Sequence, residues 1–291
     1  MDKYFSKSGC SGKQALTMCM GFGCNAAGVT GAKIVDSPRE KLLAILTNSF
    51  VPCNGKFPFL ICMSSILMGT LLGNNVISSV VAALIVLVII IFGIFMTLFI
   101  SKLLSKTILK GAPSSFVLEL PPYRKPQIGK ILVRSIFDRT LFVLGRAVIV
   151  AIPAGIAIWI LSNISVSGIT LLTYIANFFN PFAKLLGLDG YILTAFLLGL
   201  PANEIVLPII LMGYISSGTL VPLEDYSAIK TILIQNGWTL ISFINVMILS
   251  LLHFPCSTTL ITIKKETNSW KWTFVAFLLP TICRHCNLLY Y

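Results

Sequence analysis

Apolar residues in this chain fall in long blocks rather than alternating with polar ones. Residues 57–72, 76–104, 141–161, 191–214, 238–252 and 272–283 are almost wholly aliphatic or aromatic. An apolar helix of roughly 20 residues has the length a bilayer requires. Blocks 57–72, 76–104, 141–161 and 272–283 are therefore expected as spans, with 76–104, the longest, tilted or extending into the interface. Block 57–72 is short and is closed by Gly73-Asn74-Asn75. The first 50 residues are less apolar. There Ser37-Pro38-Arg39-Glu40 predicts a helix start, with Ser37 as N-cap, Pro38 in the first turn and Glu40 completing a capping box. That helix, to Asn48, is expected at the membrane interface. Ahead of it Gly21, Gly23, Gly28 and Gly31 argue against one continuous helix, at about 1 kcal/mol per glycine.

The blocks are interrupted in a recurring way. Gly21-Phe22-Gly23-Cys24-Asn25 is followed by Val51-Pro52-Cys53, and Gly199-Leu200-Pro201-Ala202-Asn203-Glu204 by Phe254-Pro255-Cys256. Each half thus carries a small-residue break ending in Asn and then a break in which Pro precedes Cys. Irregular backbone at membrane depth is tolerated only where it is buried in protein or lines a polar cavity. Transporters use such broken helices, often in paired repeats, to set carbonyls and helix ends around a solute. The unequal spacing of the two pairs leaves open whether they face each other.

Composition agrees with a membrane location. Only 11% of the 291 residues are charged, against roughly 25% in soluble domains. The fold class expected is an all-α polytopic helical bundle with broken or re-entrant helices. The net charge of +12 does not indicate nucleic acid, because the basic residues cluster between apolar blocks. The densest cluster, from Lys102 to Arg146, reads as a cytoplasmic loop under the positive-inside rule, with an amphipathic helix from about Gln127. Charge also tests the topology. If 191–214 crossed the bilayer once, Lys264-Lys265 would fall on the far side. A re-entrant hairpin broken at Pro201 keeps these lysines with the basic loop, and is the preferred reading. No cleavable signal peptide opens the chain, since residues 1–20 lack an apolar core.

Candidate chemistry sits at the breaks. Glu204 is the acidic residue inside an apolar block of the second half, where a charge costs about 2.5–3.5 kcal/mol on insertion scales; the alternative to a functional role is an ion pair with a Lys or Arg. Cys24, Cys53 and Cys256 each lie at a break. Thiolate with carboxylate suits Fe²⁺ better than Mg²⁺ or Ca²⁺, although a free Cys also often simply packs. Asn25, Asn203, Pro52, Pro201 and Pro255 shape the breaks. Cys10, Cys19 and Cys62 read as structural, and His253 as a satisfied histidine or an adjunct to the site. Cys283-Arg284-His285-Cys286 has metal-ligating residue types but no second pair. No nucleotide-binding loop, triad or dinucleotide fingerprint is present.

At these same residues the chain resembles the membrane (Gate) portion of the ferrous iron transport protein B family. The matches are Gly21-Phe22-Gly23-Cys24-Asn25, Pro52-Cys53-Asn54-Gly55-Lys56-Phe57-Pro58, Glu119-Leu120-Pro121-Pro122-Tyr123-Arg124, and Phe254-Pro255-Cys256 with Lys265-Glu266-Thr267 and Ser269-Trp270-Lys271-Trp272. It departs from the family where Ala26-Ala27 replaces Val-Pro, and it lacks the family's N-terminal GTP-binding domain, as a split or truncated member would. The resemblance implies Fe²⁺ as the transported ion with no permanently bound cofactor, and no GTPase activity in this chain. It implies a path through Cys24, Cys53 and Cys256, and residence in the bacterial inner membrane with loop 102–139 cytoplasmic. The partners implied are lipid, a GTP-binding domain protein in trans, a small accessory protein and further copies of the chain. The expected organisation is a first Gate segment at 1–104, a basic loop at 105–139 and a second Gate segment at 140–291. The alternatives are a Gate-type transporter of a nucleoside or another divalent metal, and a non-transporting membrane fragment.

Overall fold

The structure, a computed structural model, describes residues 8–73, 75–110, 141–166, 168–185, 187–215 and 226–288, with positions 5, 127, 129, 133 and 218. These residues are almost entirely helical. In chain order the helices are α1 (Lys13–Gly23), α2 (Asn25–Gly31), α3 (Pro38–Thr47), α4 (Phe57–Leu71), α5 (Val76–Thr107), α6 (Phe142–Asn163), α7 (Leu171–Leu185) and α8 (Gly190–Leu198). They continue with α9 (Val206–Ile215), α10 (Tyr226–Gln235), α11 (Leu240–Leu252), α12 (Ser257–Thr267) and α13 (Trp270–Leu288). A two-residue ribbon pairs Ser165 with Thr170 and Val166 with Ile169. The amphipathic helix expected from Gln127 and the Glu119–Arg124 motif lie outside the described residues, as do the side chains after Cys283.

Among the described residues three stretches are long and apolar enough to cross a membrane: Pro38–Leu71, Val76–Thr107 and Leu240–Thr267. The first and third are broken in the middle, at Pro52-Cys53 and Pro255-Cys256, and α5 between them is unbroken for 32 residues. The outer face of α5 presents Val76, Leu84, Val88, Ile91, Phe95 and Phe99. Such a row is stable only against lipid or another protein. Buried apolar side chains fill two large clusters. One centres on α4, α8, α9 and α11, and the other on α3, α5 and the end of α11.

Two pairs of short helices fold back on themselves. Lys13, which opens α1, forms an ion pair with Asp36, just beyond α2, so the chain returns to the end from which it entered. At the other end of the molecule Tyr191, opening α8, stacks edge-on against Tyr214, near the end of α9, with centroids 5.4 Å apart. The chain over 191–214 therefore folds back on itself as a hairpin, with its tip at Leu200–Ile205. α7 bends into α8 at 111°.

The two hairpins enter from opposite ends. Arg39 donates to the carbonyls of Gly9 and, at 2.6 Å, Leu109, and Lys33 pairs with Glu266 at 2.9 Å. These contacts gather the start of α3, the end of α5 and the end of α12 into one basic end. Lys230 of α10 donates to the carbonyl of Gly69, near the end of α4, and Asn163 to that of Gly218, which defines the opposite end. Each half thus consists of a hairpin and a broken span, with the second half inverted relative to the first.

Two expectations near α3 are corrected. Ser37 precedes the helix, but its side chain makes no capping hydrogen bond. Nor does α3 lie at an interface. Leu43 and Leu46 are fully buried and Glu40 is 2% exposed, since α1, α2 and α5 surround it.

Candidate functional site

Each Asn break is anchored by a polar side chain that comes shortly before the Pro-Cys break of the same half. In the first half Asn48 reaches between α1 and α2 and its amide donates to the carbonyl of Asn25 at 2.9 Å. Gly21 and Gly28 make room for it: a methyl group on either would come within 2.6 Å of Asn48 Oδ1. In the second half His253 Nε2 donates to Asn203 Oδ1 at 3.0 Å, and its Nδ1 lies 2.8 Å from the Ser250 carbonyl. Each ring nitrogen thus faces an oxygen acceptor, in a side chain only 3% exposed. His253 is therefore buried between Phe196 and Phe254.

The two halves meet at these breaks, but crosswise. Asn203 at the tip of the second hairpin directs its amide to Cys53 Sγ, 3.8 Å away. Glu204 lies over Gly55, where an added methyl group would stand 3.3 Å from Glu204 Cγ. The third break joins the same cluster, as Ser257 N–H donates to the Leu200 carbonyl at 2.8 Å. α2, which begins at Cys24, packs along α12, which begins at Cys256. Unequal spacing in sequence is thus compatible with a symmetric core. The Cys53 break lies against the second hairpin, and the helix after Cys256 against the first.

Each thiol is borne by the residue that opens a helix or helical turn: Cys24 before α2, Cys53 before the single turn Asn54–Lys56, and Cys256 before α12. All three backbones are extended there. Cys53 is buried while Cys24 and Cys256 are partly exposed, and Cys256 lies within electrostatic range of both others. Cys256 Sγ is 3.1 Å from Thr259 Oγ1. Among the described residues no three His, Cys, Asp or Glu side chains converge closely enough to hold a metal. The carboxylate of Glu204 is exposed and has no ion-pair partner within that set. Pro201 and Ala202 border a cavity of about 330 Å³ that also touches Trp159, Ser162 and Ile205. Pro52 abuts α5 at Gly93, and Pro255 is buried in the third break. Of the residues read as structural, Cys10 and Cys62 are buried and Cys19 is exposed.

Sequence reasoning missed two residues at the centre of this arrangement. Asn48 gave no signal, because one Asn at the end of an apolar helix is unremarkable until the facing glycines are seen. Lys56 did give one. It is the only charged residue between Lys41 and Lys102, and it is buried to 1% exposure with its Nζ 3.2 Å from the carbonyl of Leu251.

Comparison with known proteins relates the sequence to two families. Residues 86–138 match the family described as ferrous iron transport protein B C terminus, and residues 144–270 the Gate family, described as nucleoside recognition. An Fe(2+) transporter FeoB from Staphylococcus aureus is 32% identical over 289 residues, covering 97% of this chain and 40% of the relative. Proteins of the same name from Methanocaldococcus jannaschii and Synechocystis are 26% and 24% identical over 94% and 97% of the chain. The chain spans 40–44% of the length of these relatives. No solved structure matches it. Over these matched residues the chain is similar to the membrane portion of the ferrous iron transport protein B family.

Proposed function

We propose that this chain forms the membrane path for ferrous iron in a bacterial inner-membrane transporter, with its basic end in the cytoplasm. The single observation that carries this reading is the meeting of the breaks from both halves, with Cys53, Asn203 and Glu204 at the crossing. The name of the relatives, Fe(2+) transporter, supplies the solute.

The chemistry is consistent with that cargo. Fe²⁺ is a borderline cation that accepts thiolate, carboxylate and carbonyl ligands. A conduction path needs ligands that attract the ion yet release it, spread over several sites. Cys24, Cys53 and Cys256, each at the mouth of a different helix, serve as successive sulfur contacts. The exposed Glu204 carboxylate draws the ion toward them and balances part of its charge. Asn203 positions Cys53 through its amide, Asn25 anchors the first tip through its carbonyl, and Pro52, Pro201 and Pro255 keep the breaks from closing into helix.

Gate segments at 1–104 and 140–291 with a basic loop at 105–139 are the organisation proposed. Energy or control comes from a GTP-binding domain acting in trans or from a further part of the same protein.

The test is ⁵⁵Fe²⁺ uptake into proteoliposomes, with and without a GTP-binding domain chain. Loss of ligands that merely support a metal site costs about 10–100-fold in affinity or activity. Cys53→Ser or Cys256→Ser should therefore lower uptake by about tenfold or more. Full-rate iron uptake by folded Cys24→Ser, Cys53→Ser and Cys256→Ser proteins would sink the thiol path. Uptake of nucleoside in place of iron would overturn the choice of cargo.

A further inference from the structure

Lys56 is a buried basic side chain in a molecule that is read here as conducting cations. It closes the short turn that follows Cys53, and its Nζ donates to the carbonyl of Leu251 at 3.2 Å. Leu251 belongs to the last turn of α11, which ends at Leu252. The final carbonyls of a helix have no partner within it and carry the negative end of its dipole. In broken-helix transporters, such half-helix C-terminal carbonyls are where transported cations bind. Cys53 and Cys256 both lie within electrostatic range of the ammonium. The Lys56 ammonium therefore occupies carbonyl ligand space beside two of the three path thiols.

We propose that Lys56 is a tethered competitor for the transported ion, its ammonium holding the carbonyl end of α11 until a divalent cation displaces it. This rests on the transport reading above. An ammonium removed from water costs several kcal/mol unless its surroundings repay it, and one carbonyl satisfies only one of its three donors. Among the described residues Leu251 is its one hydrogen-bond acceptor, so the charge is held less firmly than a fully paired lysine and can yield to an ion of double charge. While it is in place it repels other cations, since like charges at a few ångströms interact strongly away from bulk water. When the ion leaves, the ammonium returns and the ion cannot rebind, which favours release.

The competing explanation is that Lys56 merely caps α11. Glutamine separates the two, because its amide keeps a donor for Leu251 and loses the charge. A competitor that leaves the site open about one-tenth of the time weakens apparent affinity about tenfold. Equilibrium binding of Co²⁺, followed by its thiolate absorption, and of ⁵⁵Fe²⁺ to the purified full chain should therefore tighten about tenfold in Lys56→Gln and Lys56→Met, and stay at the wild-type value in Lys56→Arg. Binding in Lys56→Gln equal to or weaker than wild type overturns the proposal. In the wild-type protein, which needs no substitution, acylation of Lys56 by acetic anhydride should rise when Co²⁺ is added; unchanged or lower labelling also overturns it. Wild-type protein that binds neither metal would instead defeat the transport reading itself, so the two failures are distinct.

Discussion

At the scale of the residue, burial decides what a titratable group does. Cys10, in the segment ahead of α1, is 1% exposed. Desolvation by burial pushes its thiol from 9.0 up to about 11; a hydrogen bond with Ser101 and the charge of Arg39 oppose this, and the charge of Glu40 adds to it. The unfolded chain releases this proton near pH 9, while the folded protein holds it until about pH 11. The unfolded state therefore gains relative to the folded one as pH rises through that window, by at most about 2–3 kcal/mol at 1.36 kcal/mol per unit. Cys10→Ser removes the titration. Melting temperatures in detergent from pH 8 to 11 should fall more steeply for wild type than for Cys10→Ser, and parallel curves would refute the assignment. The same comparison cancels contributions from the other buried thiols, which both proteins share.

At the scale of the element, the hairpins stand on close contacts that leave no room for a methyl group. Gly28 faces Asn48, whose Oδ1 would lie 2.5 Å from an added Cβ, whereas an added Cβ on Gly23 meets nothing within 4 Å. Gly28→Ala should force Asn48 out from between α1 and α2 at the 1–3 kcal/mol typical of overpacking. Gly23→Ala, at the free end of α1, should be close to neutral. Thermal unfolding of the two variants measures the difference, and equal stability would show that Asn48 does not hold the first hairpin. This contact also marks where sequence reasoning stopped. Gly21, Gly23, Gly28 and Gly31 announced a break, and Pro201 with the lysine count announced a hairpin, because glycine, proline and charge act locally or obey a simple rule of sidedness. The insertion of Asn48, the link from Asn203 to His253 and the packing of α2 on α12 depend on residues 23, 50 and more than 200 positions apart. No local pattern encodes them. α3 was misjudged for the related reason that its one-sided apolar pattern reads as interfacial, while polar Gln14, Thr47 and Ser101 hydrogen-bond one another in the interior on its other side.

At the scale of the whole molecule, the inverted halves require a definite distribution of ends. Arg39 with Leu109 and Lys33 with Glu266 gather the ends of α5 and α12 at one pole. Lys230 with Gly69 assigns the end of α4 and the start of α10 to the other. A polypeptide in which 191–214 crossed the bilayer once would need an odd number of passages between α5 and α12 to change, and Lys264 would then lie opposite Lys106. Both of these lysines are exposed, as are Leu72 and Tyr226, so single cysteines at the four positions report sidedness without entering the core. On a background in which the native cysteines are serine, a membrane-impermeant maleimide should label Lys106→Cys and Lys264→Cys from the same face, and Leu72→Cys and Tyr226→Cys from the opposite face. In intact cells the first pair should stay dark and the second react, as the excess of lysine and arginine at the first pole requires of a cytoplasmic surface. Labelling of Lys106→Cys and Lys264→Cys from opposite faces would convert the second hairpin into a crossing, remove its tip from the Cys53 break, and dissolve the crossing point on which the ion path depends.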